Sequence, residues 1–163
     1  YFMNNKQPTA YIICGFIGAG KTTFARKLEK ETSAIRITKD EWVVKIFGNQ
    51  ITSDVNFEVF DKNITELATH MAFKILKSGN DVIIDEGFWV KSQRDQLKEQ
   101  VMKIGAKWIL YYVETPLDQM RERVASRSKN PGTDSFEINE EMFESYVKFW
   151  ESPLKEENYI RAS

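Results

Sequence analysis

The sequence predicts an α/β domain in which a parallel sheet is covered by helices on both faces. Two observations lead there. Short apolar runs of strand length alternate with longer segments whose apolar residues recur at three and four positions, the pattern of parallel strands joined by crossover helices. The first of those runs opens into Gly15-Phe16-Ile17-Gly18-Ala19-Gly20-Lys21-Thr22, a glycine-rich turn that leads directly into a helical segment. A length of 163 residues suits one domain, so residues 1–163 are read as a single unit.

The elements follow in order. Ala10–Cys14 is a buried strand because it is apolar, short and ended by glycine. Lys21–Glu31 is a helix, with Phe24, Ala25 and Leu28 on one face. Ala34–Thr38 is the second strand, and Asp40–Phe47 a short helix closed by Gly48. Phe57, Phe60, Ile64, Leu67, Met71 and Ile75 form one stripe of a long helix and are expected in the core. Ser78-Gly79-Asn80 ends that helix, and Asp81–Asp85 is the third strand. Gln93–Ile104 is a helix stopped by Gly105, and Trp108–Val113 the fourth strand. Pro116–Arg127 is a helix with proline near its start, where a missing N–H costs nothing. Lys129–Thr133 is a turn-rich break, Asn139–Trp150 the last clear helix, and Tyr159–Ala162 a short edge strand.

Composition narrows the function classes. Hydrophobic residues make up 42% and charged residues 29%, as in globular proteins, and 23 basic against 24 acidic side chains leave a net charge of −1. That balance does not favour a nucleic-acid or membrane-surface protein. No stretch has the length of a membrane span or the pattern of a signal peptide. The single cysteine, Cys14, suits a reducing, cytoplasmic setting, and Tyr1 and Phe2 before Met3 read as an appended remnant.

The glycine-rich turn carries the chemistry. Glycines let the backbone curl until several N–H groups face one anion, and the helix that follows adds its positive dipole end. Gly15, Gly18, Ala19, Gly20, Lys21, Thr22 and Thr23 are therefore the candidate phosphate cradle. Lys21 supplies a mobile charge at the β- and γ-phosphates of ATP, and the Thr22 hydroxyl is a hard ligand for Mg²⁺. In parallel sheets ligands bind beyond the carboxyl ends of the strands, so Gly15, Asp40 and Asp85 should converge on one cleft.

Asp40 fits two roles: a base facing an acceptor hydroxyl, or a helix cap. Asp85 closes Val82-Ile83-Ile84 and is placed either to hold Mg²⁺ or to turn the chain. Glu86 either activates water, as an Asp-Glu pair does in many ATPases, or is solvated. Arg121, Arg123 and Arg127 lie on the helix leading into the Lys129–Thr133 break, as a phosphate-sensing lid requires; otherwise they form a solvated basic face. Arg94 divides evenly between active site and surface, and Trp42, Phe88 and Trp89 between acceptor pocket and core. His70 lacks companion ligands and is not a metal candidate. Thr38-Lys39-Asp40-Glu41 does not fit a guanine-reading motif.

The segments GFIGAGKTT, RITKDEW, VIIDEGFW, RERVASR and FEINEEMFESYVKFWESP resemble, in order and spacing, the P-loop kinase-like family, from Tyr11 to about Glu157. Its members include polynucleotide 5′-hydroxyl kinase, gluconate kinase, chloramphenicol phosphotransferase and the zeta toxins. The resemblance implies a three-layer P-loop NTPase fold with sheet order 2-3-1-4-5 and an arginine-bearing lid. It implies Asp40 as general base, Arg127 as the lid arginine on the ATP phosphates, and Arg123 near the adenine. The candidate catalytic set is then Lys21, Asp40, Asp85 and Arg127, with Thr22 and Asp85 as metal ligands. One departure stands out. Polynucleotide kinases carry arginine three residues after the base, where it grips an acceptor phosphate; here that residue is Val43. The expected activity is transfer of the ATP γ-phosphate to a hydroxyl of a small molecule. The alternatives are a polynucleotide 5′-hydroxyl kinase and an ATP hydrolase or switch using Glu86.

Overall fold

A computed structural model describes residues 7–48, 57–129 and 137–162. Its strands are β1 (Thr9–Cys14), β2 (Ile35–Ile37), β3 (Val82–Gly87), β4 (Lys107–Tyr112) and β5 (Tyr159–Arg161). They form one sheet in the order β2-β3-β1-β4-β5, with every neighbouring pair parallel. The helices are α1 (Lys21–Thr32), α2 (Lys39–Phe47), α3 (Phe57–Lys77), α4 (Lys91–Lys103), α5 (Leu117–Lys129) and α6 (Glu140–Val147). The expected α/β class and strand order are both found, and β5 lies at the sheet edge as its sequence suggested.

The layers follow from strand alternation. Successive side chains on β1 point to opposite faces. Ile12 joins Ile84 and Leu110 against Ala68, Ala72 and Leu76 of α3 and Leu97 and Val101 of α4. Ile13 joins Ile83 against Ala25 and Leu28 of α1, Met120 and Val124 of α5, and Phe143 of α6. The sheet is thus the middle of three layers, and all five strands end on the same side.

The core stripe of α3 differs from the expectation. Phe60, Leu67 and Met71 are exposed, whereas Ala68 and Ala72 are fully buried and Leu76 nearly so. Ile64 and Ile75 are half-buried, and the side chain of Phe57 lies outside the described residues. Two faces of this helix carry apolar residues at helical spacing. The face with alanines lets the helix axis approach the sheet, so it wins the contact. Phe60 instead packs on Phe47 of α2, with ring centroids 5.1 Å apart.

Several boundaries moved by one or more residues. β3 continues past Asp85 to Gly87, and pairing with β1 shifts register between Ile13 and Cys14. The last helix starts where expected, with the Asn139 side chain accepting the Met142 N–H at 2.8 Å, but ends at Val147. Beyond it the chain turns so that Trp150 packs under Phe16, at 5.6 Å between centroids. The Glu151 N–H then donates to the Trp89 carbonyl. Lys129 belongs to α5, and the rest of the expected turn-rich break lies outside the described residues.

Arg94 is neither in the cleft nor on the surface. Its side chain is fully buried and donates to both carboxylate oxygens of Glu157 at 2.7 and 2.8 Å, and to the carbonyls of Phe88 and Glu151 at 2.9 and 3.0 Å. It ties the turn after β3 to the C-terminal segment. Removing one partner of a buried, hydrogen-bonded pair strands the other charge, which costs about 3–5 kcal/mol. Arg94→Leu should therefore lower the urea midpoint by an equivalent amount; a shift worth under ~1 kcal/mol would show that the pair carries little of the fold's stability.

Candidate active site

The cradle is shaped by its glycines. Gly18 and Gly20 have φ of 79° and 101°, in the left-handed region that favours glycine. A Cβ on Gly18 would come within 2.7 Å of the Met120 carbonyl oxygen, and one on Gly15 within 2.9 Å of the Val113 carbonyl oxygen. These glycines let α5 and the end of β4 close onto the loop. Gly20 precedes α1, whose first turn presents the N–H groups of Lys21, Thr22 and Thr23. The Thr115 hydroxyl donates to the Ala19 carbonyl at 2.9 Å and fixes the loop from the β4 side.

A cleft of about 1170 Å³ opens above the strand ends and contains the Gly18–Thr23 cradle, Asp40, Glu86, Arg123 and Arg127. Of the three residues expected to converge there, Asp40 lines the cleft, whereas Gly15 and Asp85 do not, Asp85 being buried beside Thr22. The Lys21 ammonium donates to the Phe16 carbonyl at 3.0 Å. Burial lowers its pKa, and the charges of Asp85 and Asp40 oppose that shift. The same lysine is therefore within electrostatic reach of both carboxylates. Asp40 lies in the first turn of α2, whose N-cap residue is Thr38. Burial raises the Asp40 carboxyl, with Lys39 and Lys21 opposing.

Asp85 is buried and hydrogen-bonded to Thr22, and burial raises its pKa. Its Oδ2 is buried with no hydrogen-bond partner. An orphaned carboxylate oxygen beside a threonine hydroxyl fits a hard divalent cation that takes its remaining ligands from water and phosphate oxygens.

Glu86 is the second carboxylate with a buried oxygen, Oε1, that lacks a partner. Burial pushes its pKa up to about 7, with nearby Asp40, Asp61 and Asp85 adding to the rise and Lys39 opposing it. The folded protein thus holds a proton that the unfolded chain releases near 4.5, so the site lowers stability as pH rises from about 4.5 to 7. Glu86→Gln removes that penalty. In the absence of nucleotide and magnesium it should stabilise the protein by up to about 3 kcal/mol at pH 8 and by nothing at pH 4. Urea titrations at the two pH values check this; equal effects at both would place Glu86 in an ordinary solvated setting.

The three arginines of α5 separate. Arg123 donates to the carbonyls of Gly18 and Ala19 at 3.2 and 3.4 Å, gripping the cradle. Arg127 faces the cleft, and its charge acts on both Lys21 and Asp40. Arg121 points away: it binds Glu144 at 2.6 Å and Asp118 at 3.0 Å and lies 5.6 Å from the Phe143 ring centre, joining α5 to α6. Phe88 and Trp89 line the cleft, whereas Trp42 packs half-buried against the core. Phe88 is held at φ 48°, in the left-handed region, next to Gly87 at 90°. Val43 is fully buried, so the residue three after Asp40 faces the core and not the cleft. His70 is exposed on α3.

Sequence reasoning missed Lys39 and Asp61. Both line the cleft, and the Lys39 ammonium lies 3.0 Å from Asp61 Oδ1. Nothing in the spacing links positions 22 residues apart, and only the packing of α2 on α3 brings them together.

Comparisons with known proteins agree with this geometry. The chain is 27% identical over 121 residues to a shikimate kinase from Caldicellulosiruptor bescii, covering 74% of this chain and 66% of that protein's length, just under two thirds. It resembles a component of the Pnkp1/Rnl/Hen1 RNA repair complex, with TM-score 0.66, 25% identity, and coverage of 91% of this chain and 46% of the other. It shares its fold with Chaetomium thermophilum Kti12, solved in complex with ADP-AlF3, at TM-score 0.66 and 19% identity over 90% of this chain and 82% of that one. No described helix is long and apolar enough to cross a membrane. Residues 11–153 match the AAA domain family, and with its cradle, sheet order and kinase relatives the chain belongs to that family as a kinase-like P-loop NTPase.

Proposed function

We propose that the protein is an ATP-dependent phosphotransferase acting on the hydroxyl of a small molecule. The observation that carries this is the position of Asp40: in the cleft, inside the first turn of α2 and not at its N-cap, and within electrostatic reach of the cradle lysine. In this reading the acceptor oxygen bonds to the γ-phosphorus as the bond from that phosphorus to the β–γ bridging oxygen breaks. The hydroxyl proton passes to the Asp40 carboxylate, leaving ADP and a phosphate ester. The cradle N–H groups and Lys21 orient the β- and γ-phosphates, and Arg127 meets charge on the transferred group. Thr22 and Asp85 would hold Mg²⁺, which would supply charge neutralisation for the phosphates.

A hydrolase reading is favoured by one feature, the orphaned Glu86 oxygen, which could orient water. A polynucleotide acceptor draws support from the RNA-repair neighbour, but the buried Val43 and the net charge of −1 weigh against it. An acceptor screen with γ-labelled ATP tests all three, covering sugars, antibiotics, nucleosides and 5′-hydroxyl oligonucleotides. Label on a small-molecule hydroxyl is the expected result; label on water alone would overturn the phosphotransferase reading.

A further inference from the structure

The acceptor side of the cleft has an uneven chemistry. One wall is aromatic: Phe88, Trp89, Tyr146 and Phe149 line it, and the Trp89 and Tyr146 rings sit 5.4 Å apart. Phe149 is 67% exposed, an unusual amount for a phenylalanine at the mouth of a cleft. The turn carrying Phe88 is fixed by the hydrogen bond from Arg94 to its carbonyl, and Trp89 is held through its carbonyl by the Glu151 N–H. These rings are therefore a preformed wall and not a loose flap.

The polar groups facing that wall are acidic. Asp40, Asp61 and Glu86 line the cleft there, and Glu86 Oε1 is buried without a partner. The Lys39 ammonium beside them is committed: it lies 3.0 Å from Asp61 and donates to the Thr65 hydroxyl at 3.2 Å. Of the other cations lining the cleft, Arg26 pairs with Glu41 at 3.0 Å, Arg123 grips the cradle, Lys27 stands on α1 beside Arg26, and Lys21 and Arg127 act on Asp40 from the phosphate side. Arg94 lies outside the cleft, consumed in the core by Glu157. Among the described residues, an anionic acceptor against the aromatic wall would meet Asp40, Asp61 and Glu86 beside a Lys39 ammonium that is already paired, and like-charge contact in a cleft of this kind discriminates strongly.

We propose that the acceptor is a ring-bearing hydroxyl compound without negative charge, its favoured polar group a protonated amine that donates to Glu86 and faces Asp61. The flat ring stacks on the Trp89 and Phe88 wall, where aromatic faces attract both rings and cations. The hydroxyl reaches Asp40, and the amine fills the hydrogen-bonding capacity that Glu86 leaves open. This rests on the phosphotransferase reading for the meaning of the pocket, but its test does not require transfer.

The test is calorimetric binding to the protein held with ADP and Mg²⁺, using four probes. Phenylalaninol carries ring, hydroxyl and amine; N-acetylphenylalaninol is its neutral form; 3-phenyllactate replaces the cation by an anion; alaninol lacks the ring. Phenylalaninol should bind at least about tenfold tighter than 3-phenyllactate, with N-acetylphenylalaninol between them and alaninol weaker than phenylalaninol. Asp61→Asn frees Lys39 and should narrow or reverse the preference for the amine over the acid, while Glu86→Gln should weaken phenylalaninol more than N-acetylphenylalaninol. Equal or tighter binding of 3-phenyllactate to the wild type, equal binding of alaninol and phenylalaninol, or no binding of any probe would overturn the proposal. The labelled-ATP screen fails separately: label on water alone sinks the phosphotransferase reading whatever the ranking of the probes.

Discussion

Lys21→Ala should cut turnover severely and weaken ATP·Mg²⁺ binding. The lysine ammonium donates to the Phe16 carbonyl and is flanked by the charges of Asp85 and Asp40. A hydrogen bond from a charged group to phosphate is worth about 1.5–3 kcal/mol, so affinity should fall by about 10- to 150-fold. Turnover should fall by roughly a further 10²–10³, because the ammonium meets charge that grows in the transition state. Calorimetry with ATP and Mg²⁺ alongside single-turnover transfer separates the two. Lys21→Met, which keeps the buried stem, controls for misfolding. Unchanged affinity and unchanged turnover in both variants would remove the cradle from the mechanism.

Asp40→Asn should cut phosphotransfer by roughly 10²–10⁴, the usual contribution of a positioned base, while ATP affinity stays within a few-fold. The cradle is untouched by this change, and the N-cap of α2 is Thr38, not Asp40. Its melting temperature should rise slightly or stay level, because burial disfavours the charge that is being removed. Glu86→Gln should act mainly on acceptor KM. In a hydrolase the order reverses: Glu86→Gln stops turnover and Asp40→Asn is mild. A large stability loss in Asp40→Asn, with activity tracking only the folded fraction, would make Asp40 a structural aspartate.

The two predictions draw on different layers of information. The cradle was legible because it is local. Eight consecutive residues fix the turn, the strand before it and the helix after it, and each glycine is required by a nearby backbone oxygen or a left-handed φ. Strand and helix alternation was legible for the same reason: periodicity is written within single segments. The capping of α6 by Asn139 and the break at Ser78-Gly79-Asn80 are equally local.

Residue fates decided by packing were not legible. Arg94 has no local reason to be buried; only the return of the C-terminal segment brings Glu157 to it from 63 residues away. Arg121 and Arg127 stand on one helix, yet the position of α6 draws Arg121 to Glu144 and leaves Arg127 over the cleft. On α3, two apolar stripes compete in the sequence, and the alanine face is buried because close approach to the sheet removes more surface from water than the bulkier face could.

The sequence by itself determined the α/β class, the phosphate cradle and the acidic residues at the strand ends, since each depends on contacts within a few residues along the chain. The tertiary structure alone decided which cations remain in the cleft. A charge is held there or drawn into the core by partners that are distant in sequence, as Glu157 does with Arg94 and Asp61 with Lys39, and burial rewards whichever pairing leaves no charge stranded.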